Sequence, residues 1–147
     1  MEQLLVDQPE PGLFVLTLNK PERLNPLSLV VVRELHETLA ELNASRHVRG
    51  VVITGAGRGF CSGAELKPAE ERVDAGPAEN QNPMSHTFAM QESIASLHER
   101  IHRMKAPVIA AVNGPAVGGG LSLSLACDLR YASESAKFGA VFIKVGV

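Results

Sequence analysis

Apolar residues run in short, spaced groups along this chain, and the spacing predicts its elements. Leu4–Val6 and Leu13–Leu18 read as strands; Phe14-Val15-Leu16-Thr17-Leu18 is β-branched and aromatic, and Pro11-Gly12 supplies the turn between the two. Lys20-Pro21-Glu22-Arg23-Leu24-Asn25-Pro26 is a loop broken by two prolines. Ser28 then caps a helix reaching about Asn43, with Val32, Leu35, Leu39 and Leu42 on one face. Gly50-Val51-Val52-Ile53-Thr54 is short and apolar, as in a strand covered on both sides. Gly55 to Gly63 is a glycine-rich turn that leads into Ala64-Glu65-Leu66-Lys67. Residues 68–85 hold Pro, Glu, Asn and Gly without a period and are expected to form a mobile surface loop. From about His86 to Met104 a helix is predicted, with Met90, Ile94, Leu97, Ile101 and Met104 facing the core. Leu129–Ala132 reads as a strand and Lys137–Val147 as another extended run. Strands and helices alternate, so the class is α/β, in a single domain over 1–147. The closing run Val141–Val147 has no turn residues or polar cap to finish it, so the last element is expected to be cut short.

Pro107 to Asp128 is the stretch around which the rest is organised. Val108–Val112 is a buried strand, Asn113-Gly114-Pro115 turns the chain, and Gly118-Gly119-Gly120 precedes an apolar helix starting with Leu121, Leu123, Leu125 and Ala126. Glycines before a helix let a ligand approach the backbone, where the first N–H groups have no partner within the helix. The stretch therefore reads either as a hydrogen-bond donor site for a developing negative oxygen or as close helix–sheet packing. No Lys-Ser/Thr follows the glycines, so it is not a P-loop.

Composition narrows the function classes. With 147 residues, 45% of them apolar, the chain can bury a core. A net charge of -2 without a long basic run argues against nucleic acid as a partner. Cys61 and Cys127 are the only cysteines and form no CxxC, which fits a reducing, cytoplasmic setting without disulfides or structural zinc. The N-terminus is acidic and alternating, unlike a signal peptide. Residues 107–127 are apolar enough to raise a membrane span, but Asn113, Pro115 and three adjacent glycines oppose one.

Three motifs invite a function. Thr54-Gly55-Ala56-Gly57-Arg58-Gly59 after a strand resembles a dinucleotide turn, but Cys61 replaces a further glycine and no second strand brings an acid for the ribose. Tyr131 also lacks a lysine four residues on. His98-Glu99-Arg100-Ile101-His102 matches the zinc-protease H-E-x-x-H, the distant alternative of a zinc hydrolase. At about 100° per residue, however, both histidines flank the buried face, Glu99 lies opposite, and no third ligand follows. The expectation is no metal. Cys61, Ser122 and Ser124 are candidate nucleophiles without a G-x-S-x-G elbow or an evident histidine base.

Taken together, three ordered signatures carry a resemblance. Leu18-Asn19-Lys20-Pro21-Glu22-Arg23-Leu24-Asn25-Pro26-Leu27, Val51-Val52-Ile53-Thr54-Gly55 through Phe60-Cys61-Ser62-Gly63-Ala64-Glu65-Leu66-Lys67, and Pro107 to Asp128 resemble the crotonase family, also called the enoyl-CoA hydratase/isomerase family. The match spans nearly the whole chain. It implies a stacked ββα superhelix, incomplete at the C-terminal end, and an acyl-CoA or enoyl-CoA thioester as ligand. Coenzyme A would then be part of the substrate, with no separate cofactor. It also implies an oxyanion hole from the backbone N–H groups of Ala64 and Gly119. Arg23, Arg58, Gly63, Glu65, Leu66, Lys67 and Gly118 are implied substrate contacts; for Arg58 and Lys67, plain surface charge explains the residues equally well.

This sequence departs from the family pattern. Glu65 replaces an Asp after the oxyanion alanine, and Ser122 and Phe142 stand where hydratases carry their two catalytic glutamates. The resemblance implies further strands and helices, used for trimer or hexamer packing, beyond residues 1–147, so this unit is expected to be incomplete. The resemblance thus leaves two readings: a lyase or isomerase of lipid metabolism whose acid/base residue lies elsewhere, or an inactive remnant that binds acyl-CoA.

Overall fold

The computed structural model describes residues 2–65 and 83–141. Leu66, Lys67, Phe142, most of the expected 68–85 loop and the end of the 137–147 run lie outside the described residues. In chain order the elements are β1 (Leu4–Glu10), β2 (Leu13–Leu18), a 3-10 turn (Pro21–Arg23), α1 (Leu29–Ala44), β3 (Gly50–Gly55), α2 (Pro83–His102), β4 (Val108–Val112), β5 (Ala116–Val117), α3 (Gly119–Ala126), β6 (Leu129–Ala132) and β7 (Phe138–Gly139).

The main sheet runs β1-β2-β3-β4-β6. β1 and β2 form an antiparallel hairpin, while β2, β3, β4 and β6 are parallel. Parallel neighbours need a crossover, and α1, α2 and α3 supply one each. Register sets Leu16 beside Ile53 and Ile53 beside Ala110, a row of fully buried side chains across the sheet. Against this face pack Val32, Leu35 and Leu39 of α1 and Leu97 and Ile101 of α2. Side chains of this kind each contribute roughly 1.5–3 kcal/mol on burial.

A second, smaller layer stands beside the main sheet. Leu27 bridges Ala64, Cys61 bridges Ala116, and Ala116-Val117 pairs with Phe138-Gly139, all in parallel. Each turn of the chain thus contributes a strand to the main sheet and a short extended piece to the second layer. A helix follows that piece in the three complete turns. This is the stacked ββα superhelix the resemblance implies.

Several bounds differ from expectation. β1 runs on to Glu10, beyond Val6; six of its seven residues are exposed, so no burial period marks it. α2 occupies Pro83–His102 rather than His86–Met104, taking residues 83–85 from the expected loop. α3 starts at Gly119, two residues before Leu121, because the glycines themselves form its first turn. No helix among the described residues is long and apolar enough to cross a membrane.

Candidate functional site

The second layer brings the two glycine turns together. Leu27 N–H donates to the Gly63 carbonyl at 2.7 Å, and Glu65 N–H donates to the Leu27 carbonyl at 3.1 Å. In such a parallel bridge the middle residue, here Ala64, directs its own N–H to the opposite side. There Val117 N–H donates to the Cys61 carbonyl at 2.9 Å, and Phe60 and Cys61 N–H donate to the Pro115 carbonyl. β5 ends at Val117, so the ladder stops short of Ala64. Gly118, at φ 53° and ψ −120°, turns the chain into α3. Gly119 is the first residue of that helix, and its N–H has no partner within it.

The turns are in contact. A methyl group added to Gly119 would lie 3.4 Å from the Ala64 nitrogen, and one added to Gly63 would lie 3.0 Å from the Gly119 nitrogen and 2.8 Å from the Val117 oxygen. Gly63 also has φ +92°, where side chains are strained. The Ala64 and Gly119 amides, which belong to different superhelical turns, are therefore neighbours.

Charged groups flank this pair. The Glu65 carboxylate accepts from Arg23 at 2.7 Å and Lys20 at 3.2 Å, with its side chain only 9% exposed. Arg23 and Glu65 thus engage each other and lash the β2–α1 loop to the Ala64 turn. Arg58 is exposed on the Gly55–Gly59 turn and makes no ion pair among the described residues.

Sequence reasoning missed two residues beside the turns. Asn25 Nδ2 donates to the carbonyls of Ala56 (2.9 Å) and Gly59 (2.8 Å). Asn113 Nδ2 contacts the carbonyls of Gly55 (2.8 Å), Gly57 (2.9 Å) and Gly59 (3.3 Å). The turn that resembles a dinucleotide loop is thus occupied by the protein's own amides. An asparagine beside a proline or a glycine was the available signal, but it reads first as turn chemistry.

The remaining candidates sit elsewhere or are otherwise engaged. Ser122 lies in the first turn of α3 and donates back to the Gly119 carbonyl at 3.0 Å. Ser124 donates to the Leu121 carbonyl at 2.7 Å. Burial pushes the Cys61 thiol from 9.0 up to about 12, against a smaller lowering by a hydrogen bond from the Gly63 backbone, so it is not a poised nucleophile. Cys127 is likewise pushed up to about 12, chiefly by burial. Asp128 accepts from Val108 N–H at 2.8 Å, which fastens β6 beside β4. On α2, Glu99 pairs with Arg103 at 2.7 Å, His102 is exposed, and His98 is half-buried. Burial and, second, the nearby His102 hold His98 below its ordinary 6.5. Among the described residues, no group of three or more His, Cys, Asp or Glu could hold a metal.

A superhelix of ββα units with two adjacent main-chain donors between its second and third turns defines a fold and a site, and comparison with known proteins gives the family. The family model described as "Enoyl-CoA hydratase/isomerase" matches residues 8–147, and the chain belongs to that family. A Mycobacterium bovis protein named "Probable enoyl-CoA hydratase echA12" is 44% identical over 144 residues, covering 98% of this chain and 50% of the relative. The 1,2-epoxyphenylacetyl-CoA isomerase of Escherichia coli is 36% identical over 148 residues, covering 100% of this chain and 54% of that protein. The crystal structure of an enoyl-CoA hydratase from Mycobacterium smegmatis superposes with a TM-score of 0.89 at 33% identity, over 100% of this chain and 54% of that one. The chain spans about half the length of the relatives it matches.

Proposed function

We propose that the chain binds an acyl-coenzyme A thioester with the carbonyl oxygen between Ala64 N–H and Gly119 N–H. The observation that supports this reading is the contact between the Gly63-Ala64 and Gly118-Gly119 turns. When an α-proton leaves such a thioester, charge moves onto the oxygen as an enolate. A preorganised backbone donor stabilises charge of this kind by about 3–4 kcal/mol in acyl-transfer sites. In this reading Gly63 and Gly118 leave room for the ligand, and Arg58 and Lys67 meet the coenzyme phosphates. Arg23 and Glu65 hold the wall of the site.

Hydration of an enoyl thioester needs a base for the water and an acid for the α-carbon, each contributing typically about 10²–10⁴-fold. The Ser122 hydroxyl is turned onto the Gly119 carbonyl and has no base beside it among the described residues. Phe142 cannot move a proton. The reading is therefore acyl-CoA binding with enolate stabilisation and no hydration by residues 1–147 alone; a carboxylate brought in by another segment or chain would complete a hydratase or isomerase. The test is crotonyl-CoA absorbance, run beside the double variant Ser122→Glu with Phe142→Glu. Titratable binding without absorbance loss is expected of the unmodified chain, and turnover at the rate of a competent hydratase would overturn the reading.

A further inference from the structure

Asn25 and Asn113 stand in different superhelical turns, yet their side chains meet at the Gly59 carbonyl, at 2.8 Å and 3.3 Å. Their acceptors are used as fully as their donors. Asn25 Oδ1 accepts Lys20 N–H at 2.8 Å, and Asn113 Oδ1 accepts Gly55 N–H at 3.3 Å. A turn that presents several carbonyls, next to backbone N–H groups that need an acceptor, calls for a group with both functions, and a primary amide has them. A carboxylate would face those carbonyls with acceptors alone. Asn25 is 1% exposed and sits at φ 54°, so its amide is both buried and held by its backbone.

The two residues share a spacing. Two positions after Asn25, Leu27 donates to the Gly63 carbonyl and accepts from Glu65 N–H, on either side of Ala64. Two positions after Asn113, the Pro115 carbonyl accepts from Phe60 and Cys61 N–H, and Gly119 follows four residues later. The contacts between these segments, Leu27 with Ala64 and Cys61 with Ala116, are isolated bridges rather than long ladders. Bridges this short fix little on their own. The buried Asn25 amide and the half-buried Asn113 amide tie both sets of contacts to one turn, Gly55–Gly59, and a fully satisfied polar network of this kind is stiff.

We propose that Asn25 and Asn113 are positioning residues that set the separation of the Ala64 and Gly119 amides. Their use in catalysis rests on the thioester reading above, whereas their effect on the two amides is measurable without ligand. The experiment compares amide spectra and hydrogen exchange of the 147-residue chain with those of Asn113→Asp, Asn25→Gly and Asn43→Ala. Asn25→Gly keeps the left-handed backbone while removing the amide. Asn43→Ala removes a comparable side-chain bond, to Lys105 N–H, away from these turns. In the first two variants, each of which removes three of these bonds, the Ala64 and Gly119 signals move, and Phe60 and Cys61 N–H exchange at least about tenfold faster. In Asn43→Ala those signals stay. Should Asn113→Asp fail to fold, Asn25→Gly decides. Unmoved Ala64 and Gly119 signals in a folded Asn25→Gly chain overturn the proposal. A separate readout is the affinity ratio of crotonyl-CoA to coenzyme A without an acyl group, which falls in both variants if the amides hold the thioester oxygen. If the unmodified chain shows no such preference, the thioester reading fails, while the spectra still decide the positioning claim.

Discussion

At the scale of single residues, burial decides which reactive-looking groups are reactive. Cys61, Ser122, Ser124 and His98 all invite a catalytic role from sequence, and each is engaged or shielded. His98 gives a prediction with a definite sign. Its folded value lies below 6.5, so the unfolded chain takes up a proton first as pH falls. The stability contributed by neutral His98 is complete above about pH 6.5 and declines below it, until the folded form also protonates. Urea unfolding from about pH 8 down to about pH 5 should show a midpoint that is level and then falls, with His98→Gln flattening part of the fall. An identical pH profile in the variant would contradict this. Local pattern made the Gly55–Gly63 turn and the glycines before α3 legible, since glycine clusters are local signals, whereas Ala64 and Gly119 were singled out by the family resemblance. Asn25 and Asn113 were not legible as struts. The carbonyls that their side-chain amides bind lie 31 to 58 residues away, and nothing next to either asparagine announces a distant carbonyl.

At the scale of elements, what sequence revealed depended on length and on residues that mark the boundaries. β2 and β4 could be read to the residue because each is a run of apolar and β-branched residues bounded by a turn signal, Pro11-Gly12 before β2 and Asn113-Gly114-Pro115 after β4. β5 and β7 have two residues each and carry no period, yet they build the layer that joins the two glycine turns. Ser28 was readable as a cap, and its side chain accepts from Val31 N–H at 3.2 Å while meeting Gln3 Oε1 at 2.5 Å. Ser28→Ala should cost about 1 kcal/mol. Chemical denaturation would show this as a lower midpoint with an unchanged slope. An unmoved midpoint would mean that the cap contributes nothing to α1. At the far end of the molecule, Arg130 donates to the carbonyls of Ser124, Leu125 and Cys127, a cation closing the C-terminus of α3.

Across the whole molecule, the candidate site is a product of stacking: neither glycine turn provides both amides alone, and the second layer brings the turns into contact. Stacking also explains why the family was legible from three ordered signatures while the geometry was not, because contact between turns 55 residues apart depends on the register of the intervening strands. In the proposed function these stacked turns hold one thioester oxygen between two amides. Infrared spectroscopy of crotonyl-CoA labelled with ¹³C at the thioester carbonyl tests it most directly. Two hydrogen bonds onto that oxygen weaken the C=O bond, so the bound carbonyl band should shift to lower frequency than in free crotonyl-CoA. The shift should be lost in Gly63→Ala, where a methyl group would lie 3.0 Å from the Gly119 nitrogen. A bound ligand whose carbonyl band stays at its free position in the unmodified chain would show that the two amides do not hold the thioester oxygen.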